Sequence, residues 1–457
     1  MKKITIPHII IPVILLGIFF IPFNSWSGLG FLGEYYRDSC FLFFTLAFIL
    51  TLFKKKIEIP YQNIIFQFLL LLLAWCLVAT ILNSSNVTNY FFKQTSGFLR
   101  FINQFGALII AGILLPLTFF NGFKNYNLNK LLRLIRKVVL LSLIVVSIYA
   151  FIEVLIVKFG MVDLKIKVLN IFDYFPFTEA KIDSINNRIS SVSFEPPALG
   201  TYLSSIAGWM FSYIITSNSK WKYIPTIIVV ALAFISGSRG AFFITIIQAL
   251  IFIAILLRDT RHSKMFLKTS FSFMLVSFVF FGVYYKETTG YIKNEIQSFK
   301  LDDKQHSVSN KSRFGIQQAM FKVFLDNPVA GTGYGLQAFE SRKLYPVWAK
   351  RNNWEFRLKY LNQNDERFPP GYNMYLRLLS ETGLIGFVIF CGLLIQVFLW
   401  CYNNFNKHNL YSIIILISMI GFCMNWLKTD SFRIYFFWIC LALIFLIDFS
   451  KKTIKNE

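Results

Sequence analysis

Long apolar runs recur along the whole chain, and they restrict its fold more than any other feature. Each is close to the ~20 residues with which a helix crosses the ~30 Å hydrocarbon core of a bilayer. Lipid offers the backbone no hydrogen-bond partners, so a run of this kind must be helical. The runs therefore predict an all-α, polytopic integral membrane protein in which residues 1–457 form a single membrane domain.

The composition excludes an ordinary soluble protein. Of 457 residues, 56% are hydrophobic and 15% are charged, whereas soluble domains average about 45–50% apolar and about 25% charged residues. The run after Met1-Lys2-Lys3 extends from about Ile4 to Phe23, and no small-residue cleavage site follows it. It is too long for the apolar region of a signal peptide, so it is predicted to be the first span.

About twelve transmembrane helices are predicted from the lengths of the runs. They lie near 4–23, 38–53, 62–82, 99–120, 138–158, 196–216, 223–236, 239–257, 266–285, 383–402, 409–427 and 432–449. Two longer connections separate them, 160–195 and 286–373, and the second joins spans nine and ten. Within it, Arg313–Asn327 is predicted to form an amphipathic helix, because Ile316, Met320, Val323 and Phe324 recur at helical spacing.

The distribution of basic residues predicts the orientation. Much of the net charge of +23 falls in alternate short connections, which is typical of cytoplasmic loops. Both termini are therefore expected in the cytoplasm, and the loops 160–195 and 286–373 on the outer, periplasmic side. No basic face with interleaved aromatic residues occurs outside the runs, so no nucleic-acid partner is expected.

Cysteine and histidine indicate neither disulfides nor a metal. The six cysteines are scattered in or beside apolar runs without CxxC pairing, and no His, Asp and Glu cluster has metal-ligand spacing. The cysteines are predicted to be packing residues.

Arg239 is the most informative single residue, because it lies between two apolar runs in Ser236-Gly237-Ser238-Arg239-Gly240. A charge at that depth usually faces a cavity or a ligand. The short turn also begins a helix, whose free N–H groups favour an anion. A guanidinium that stays charged at this point indicates a phosphate-binding residue. The alternative is an arginine that only fixes topology or snorkels to the interface.

Further candidates lie on the same predicted face. Arg188 precedes the sixth span, Arg313 is expected at the start of the amphipathic helix, and Arg377 and Arg433 lie near the outer ends of the last spans. Guanidiniums that converge from different helices can hold a diphosphate by charge-assisted, bidentate hydrogen bonds.

Two carboxylates are candidates for a general base. Glu195 precedes Pro196-Pro197 at the outer mouth of a span, where partial desolvation would raise its pKa. Glu381 is the second candidate. For both, the alternative is a glutamate that stabilises a helix start. The turn Gly331–Gly335 is also expected to present backbone N–H groups.

Three ordered blocks resemble the O-antigen polymerase and ligase superfamily of bacterial envelope glycan assembly. They are Ser236–Ala241, Arg313–Gly335 and Gly371–Gly386, and Arg188–Gly200 is similar to a further block of capsule and exopolysaccharide polymerases. The resemblance implies a metal-independent, GT-C-like glycosyltransferase that needs no cofactor. It implies that its donors are glycans on undecaprenyl diphosphate, used at the outer face of the inner membrane.

Carried over by position, the resemblance implies that Arg239 and Arg313 bind the diphosphate, and Arg188 is predicted to bind it with them. Glu195 and Glu381 are then the catalytic candidates, and Tyr372, Asn373 and Arg377 are predicted to bind substrate. Ligases of the superfamily usually have His-Asn where this chain has Tyr372-Asn373. That difference removes the base assigned to the ligases and favours a polymerase.

The resulting hypothesis is a polymerase that acts on a lipid-linked donor and a lipid-linked acceptor in the bilayer, with a chain-length regulator protein as a further partner. The first alternative is a ligase that transfers finished polymer to the lipid A core. The second is a transporter of lipid-linked oligosaccharide, which would instead have charged or Gly/Pro-broken segments in mid-membrane and symmetric halves.

Overall fold

The computed structural model describes residues 6–53, 57–183, 187–257, 307–406 and 409–456, and this part of the chain is mostly helical with almost no sheet. The helices before the gap at 258–306 are α1 (Ile6–Phe19), α2 (Ser39–Leu52), α3 (Ile64–Leu82), α4 (Ser84–Asn89), α5 (Gly97–Ile109), α6 (Leu115–Phe123), α7 (Leu128–Val157), α8 (Asp163–Lys167), α9 (Pro196–Thr216), α10 (Ile224–Ile235) and α11 (Arg239–Leu257). Those after it are α12 (Ser307–Asp326), α13 (Gln337–Ser341), α14 (Val347–Lys350), α15 (Met374–Asn403), α16 (Asn409–Asn425) and α17 (Tyr435–Asn456).

Short elements complete the described part of the chain. A two-residue antiparallel pair is formed by β1 (Phe91–Phe92) and β2 (Thr95–Ser96). The 3-10 turns are Gly30–Tyr35, Leu169–Tyr174, Lys220–Tyr223 and Arg342–Leu344, and π turns occur at Ile110–Leu114 and Phe356–Tyr360. The first π turn joins α5 to α6 as one continuous span.

The prediction of a helical integral membrane protein is confirmed. Among the described residues, six helices are long and apolar enough to cross a bilayer: Ile64–Leu82, Gly97–Phe123, Leu128–Val157, Pro196–Thr216, Arg239–Leu257 and Met374–Asn403. Shorter apolar helices occupy Ile9–Phe19, Ser39–Leu52 and Leu410–Asn425. The segment near 266–285 lies outside the described residues, and the total of twelve spans stays a prediction.

Two helices begin much earlier than the apolar pattern indicates. The first is α7, which starts at Leu128 although its span was predicted near 138–158. The prediction near 383–402 corresponds to α15, which starts at Met374 and breaks at Gly383, where φ is 65°. Asn373 caps its first turn by accepting a hydrogen bond from the N–H of Leu376. The first part of α15 contains polar residues, so it was not recognised as part of an apolar run.

Helix α9 lies among α10, α11 and α16, and polar side chains fix their mutual positions. Gln248 of α11 donates to the carbonyls of Ser204 and Ile417, at 2.9 and 2.8 Å. Asn425 of α16 donates to the hydroxyl of Ser204 at 2.6 Å. Buried amides of this kind must be paired, so they align the helices whose ends carry the candidate site.

The cysteines are free thiols in the apolar interior. Cys40, Cys76, Cys401 and Cys440 are buried, and Cys391 and Cys423 are partly buried. Their surroundings agree with the predicted packing role.

The described part of the 286–373 connection is ordered and has its own small core. Ile316 and Met320 of α12 pack against Tyr345 and Phe356, so the apolar face predicted for this helix is confirmed. Its start was predicted wrongly, since α12 is already helical at Ser307 and Arg313 lies in its second turn. The polar stretch before Arg313 gives no apolar signal, and the packing of Ser312 and Gly315 against this core sustains the helix there.

The Gly331–Gly335 turn does not present its N–H groups to a ligand. The N–H of Thr332 donates to the carbonyl of Ser380 at 3.0 Å, and that of Gly333 donates to the carbonyl of Glu381 at 2.9 Å. The N–H of Leu384 in turn donates to the carbonyl of Pro328 at 2.8 Å. The glycine-rich turn therefore closes the gap that the break at Gly383 leaves in α15.

Candidate functional site

Arg188 is held against the turn that precedes α11. The N–H of Ile189 donates to the carbonyl of Ser236 at 3.3 Å. A β-carbon on Gly237, whose φ is 67°, would lie 3.1 Å from Cγ of Arg188, so a residue with no side chain is needed here. The Nε of Arg188 is buried and has no hydrogen-bond partner within the described residues. A buried, unsatisfied guanidinium nitrogen is available to an anionic ligand.

Arg188, Arg239, Arg313 and Glu195 lie close together, which brings the three predicted diphosphate ligands to one place. Burial is the main cause that lowers the pKa of Arg188, and the charges of Arg313 and Arg239 lower it further, while Asp183 and Glu195 oppose them. Arg239 opens α11 and Arg313 projects from α12. Arginines from a loop and two helices thus lie near one another, a juxtaposition that the sequence alone does not show.

Glu195 lies at the N-cap of α9 but does not cap it. Its backbone is extended, and its side chain makes no capping hydrogen bond. The side chain is exposed along one edge, yet the surrounding protein desolvates the carboxyl group. This desolvation raises its pKa above the usual 4.5, against the lowering effect of Arg313, Arg188, Arg37 and Lys359. Glu195 therefore contributes no capping hydrogen bond to the first turn of α9.

Tyr372 lies beneath Arg313. The Cζ of Arg313 is 5.2 Å from the centroid of the Tyr372 ring, a distance typical of a cation–π contact. Gln317 donates to the Tyr372 carbonyl at 3.1 Å, and the Tyr360 and Tyr372 hydroxyls are 2.7 Å apart. The φ of Tyr372 is 56°, a conformation that costs a non-glycine residue energy and is most frequent at functional sites.

Lys428, which the sequence did not single out, belongs to the same place. A β-carbon on Gly240 would lie 3.0 Å from Cδ of Lys428 and 3.4 Å from Nζ. Its Nζ is buried and, among the described residues, has no hydrogen-bond partner. Burial, and then the charge of Arg313, lower its pKa to about 8. Its only signal in the sequence is that it is one of few basic residues in the outer connections.

We call Arg188, Arg239, Arg313 and Lys428 the cationic cluster. It combines four basic side chains with the N-terminus of α11, and Glu195 and Asp183 are carboxylates beside it. Such a set can bind a polyanion and stabilise negative charge that develops on it. Within the described residues, no three His, Cys, Asp or Glu side chains are grouped as a metal site requires.

The other predicted site residues make contacts within the fold rather than with the cationic cluster. Arg377 and Glu381 form a buried ion pair, with 3.1 Å between Nε and the carboxylate. Arg377 also donates to the carbonyl of Asp430 at 2.6 Å and to the side-chain oxygen of Gln104 at 2.8 Å. Asn373 is the cap of α15, and its amide donates to the carbonyl of Leu427 at 3.5 Å. Through these contacts, Arg377, Glu381 and Asn373 hold neighbouring parts of the fold together.

Arg377 and Glu381 nevertheless line a polar cavity of ≈ 230 Å³. Its other charged residues are Glu34, Arg100, Asp430 and Arg433, and Phe368 and Tyr334 contribute aromatic walls. Arg100 pairs with Glu34 at 2.9 Å. We refer to this space as the polar cavity.

These features define a helical integral membrane protein with a cationic cluster at one end of its bundle and a polar cavity beside it. Residues 224–391 match the family model described as O-antigen ligase. All three blocks lie within the matched residues, so this match is consistent with the O-antigen polymerase and ligase superfamily that the blocks indicate.

The members of this family are glycosyltransferase-like ligases and polymerases that use lipid-linked saccharides in a membrane. Arg239, Arg313 and Tyr372 lie within the matched residues, whereas Arg188, Glu195 and Lys428 lie outside them. No curated protein matches the chain.

Proposed function

We propose that this protein is a polysaccharide polymerase. It transfers a glycan chain from undecaprenyl diphosphate to a lipid-linked repeat unit, in the biosynthesis of O-antigen, capsule or a related surface polysaccharide. The observation that carries the proposal is the convergence of Arg188, Arg239 and Arg313, with Lys428, around one point beside Glu195. An excess of fixed positive charge at that point suits a diphosphate.

The reaction follows from these positions. A hydroxyl of the acceptor sugar attacks the anomeric carbon of the donor chain, whose bond to the diphosphate oxygen breaks as the new glycosidic bond forms. Glu195 receives the proton of the hydroxyl, because it is a carboxylate beside the cluster whose desolvation makes it more basic. The arginines stabilise the charge that develops on the departing lipid diphosphate, and no metal is used in this scheme.

The orientation forms part of the proposal. In the bacterial inner membrane, both termini would be cytoplasmic, and the cluster and the 286–373 connection would face the periplasm or outer side. Donor and acceptor would then meet at the outer ends of α9, α11 and α15, with their lipid tails in the bilayer. A chain-length regulator protein would bind at this same face.

The ligase is the alternative within the same family, and one residue argues against it. Tyr372 stands before Asn373 where ligases usually have histidine, and its hydroxyl is bonded to Tyr360. Burial raises the pKa of Tyr372 to about 12, so this phenol is a poor base near neutral pH.

Purified protein with one defined lipid-linked repeat unit tests the proposal. Oligomers and free undecaprenyl diphosphate should appear without added metal, and they should be absent with the Arg239→Ala variant. A second reaction, with lipid A core as acceptor, separates the two activities. Transfer to the core without oligomers would identify a ligase and overturn the polymerase.

A further inference from the structure

The polar cavity differs from the cationic cluster in its charge. Three acids, Glu34, Glu381 and Asp430, and three arginines, Arg100, Arg377 and Arg433, line it. Most of them are already paired with one another or with neighbours, as in the Arg100–Glu34 and Arg377–Glu381 pairs. An anion would find no excess of positive charge here. A neutral ligand with many hydroxyl groups would find donors and acceptors on every side.

The size of the cavity fits one sugar ring. Its ≈ 230 Å³ is many times the roughly 10–15 Å³ that one water needs on the same measure. There is therefore room for a ligand as large as one sugar ring. The Nε of Arg100 is buried without a partner within the described residues, which leaves a donor for a ligand oxygen.

Two short segments connect the cavity to the cationic cluster. Pro370 and Asp430 line the cavity, whereas Tyr372 and Lys428, each two residues away, lie at the cluster. The Gly371 N–H donates to the Asp430 carboxylate at 2.7 Å and holds the segments together. Two residues of extended chain span at most about 7 Å, so the cavity and the cluster are neighbours.

We infer that the polar cavity is a binding site for one uncharged pyranose, the terminal sugar of the acceptor. Its assignment to the acceptor rests on the proposed polymerase, because the donor's diphosphate occupies the neighbouring cluster. The sugar binding itself does not depend on that function. The reacting hydroxyl of this bound sugar would point out of the cavity, toward Glu195 and the donor's anomeric carbon.

Two alanines one helical turn apart provide matched variants. Ala107 lines the polar cavity, and Ala111 lines a separate apolar cavity of ≈ 120 Å³ with Tyr35, Phe41 and Phe44. Ala107→Leu adds apolar bulk to the sugar site, while Ala111→Leu adds the same bulk to an apolar space that should accept it. Both variants keep every residue of the cationic cluster.

The test is saturation-transfer NMR on the full-length protein in lipid nanodiscs. The probes are the methyl glycosides of D-glucose, D-galactose, N-acetyl-D-glucosamine and L-rhamnose. At least one glycoside should receive saturation from the wild type, with a signal at least about ten-fold weaker for Ala107→Leu and unchanged for Ala111→Leu. The signal should also persist in Arg239→Ala, which impairs the cluster alone.

Absence of transfer to every probe in the wild type would overturn the inference, and so would equal transfer to the two alanine variants. A glycoside signal from a protein that forms no oligomers would leave the sugar site standing and overturn the polymerase. Oligomers from a protein that gives no glycoside signal would support the polymerase and overturn the sugar site.

Discussion

Lys428 lies against Gly240, so that a β-carbon on this glycine would be 3.4 Å from the lysine Nζ. The contact places an ammonium group at the N-terminus of α11, where the helix dipole and Arg239 already contribute positive charge. The charge of Arg313 also acts on Lys428 and lowers its pKa, so like charges repel one another at this place. A diphosphate relieves this repulsion, which is why an anion would bind there tightly.

Lys428→Met should therefore weaken catalysis and stabilise the empty protein. We expect the rate of polymerisation to fall by about 10²-fold, a typical loss for one charge-stabilising group. The melting temperature in detergent should rise, since an unpaired, buried cation is removed. A control is Lys322→Met, which removes an exposed lysine of α12 and should change neither quantity. A lower melting temperature for Lys428→Met would show that the lysine has a structural role.

The pH dependence of pyrophosphate binding should reveal the same lysine. The pKa of Lys428 is lowered to about 8, so the amine is charged at pH 7 and increasingly neutral above pH 8. Affinity for inorganic pyrophosphate, measured by calorimetry, should decrease between pH 7 and 9 in the wild type. In Lys428→Met, the affinity should be lower at pH 7 and nearly constant over this range. A parallel decrease in both proteins would exclude Lys428 as the titrating group.

Apolar runs predicted the helices well because their signal is local. The segments that became α3, α9 and α11 were found nearly to the residue. The start of α15 was missed, since Asn373 and the polar turn after it are stabilised by tertiary contacts with Leu427 and Asp430. The start of α12 was predicted too late for the same reason, since its first residues are polar and are stabilised by tertiary contacts.

The candidate site was predicted in part. Arg188, Arg239, Arg313 and Glu195 each stand beside a helix start or turn in the sequence, and that local signal sufficed to propose them. Lys428 could not be found, because its burial depends on Gly240, almost two hundred residues away in the chain. Arg377 and Glu381 lie in the same block as Tyr372, but only the fold reveals that they pair with each other.

Replacing an arginine of the cationic cluster should reduce polymerisation, whereas replacing another arginine of the 286–373 connection should not. Arg313→Ala should reduce polymerisation by about 10²–10³-fold, since a donor to the developing diphosphate charge is lost. Arg313→Lys should recover only part of the rate, because an ammonium cannot bond bidentately. Arg351→Ala removes an exposed arginine and should leave the polysaccharide ladder unchanged on gels. Equal ladders from Arg313→Ala and Arg351→Ala, at equal protein levels, would argue against the cluster.

Gly383→Ala tests the break in α15. Alanine is strained at a φ of 65°, and its β-carbon would lie 2.1 Å from the carbonyl oxygen of Val329. We expect the variant to lose folded protein from the membrane, measured by size-exclusion of a fluorescent fusion. Gly106→Ala is the matched control, because a β-carbon there meets no atom within 4 Å. Normal accumulation of Gly383→Ala would mean that the break is not required.

Substitution of Glu195 and of Glu381 should have different effects, which show which of the two can be the general base. Glu381→Gln leaves the buried Arg377 without its counter-charge, a loss of about 3–5 kcal/mol of stability, so we expect little folded protein. Glu195→Gln removes an exposed carboxylate, so the protein should accumulate normally while the rate falls by about 10²–10⁴-fold. Glu366→Gln, at an exposed position outside the site, should affect neither.

The pH profile then identifies the base directly. Desolvation raises the pKa of Glu195 above 4.5, and a base must be ionised to accept a proton. The wild-type rate should therefore decrease as the pH falls through this raised value, at a higher pH than for an ordinary glutamate. In Glu195→Gln the residual rate should lose this acidic limb. An acidic limb that persists unchanged in the variant would assign the titration to another group and remove Glu195 from the mechanism.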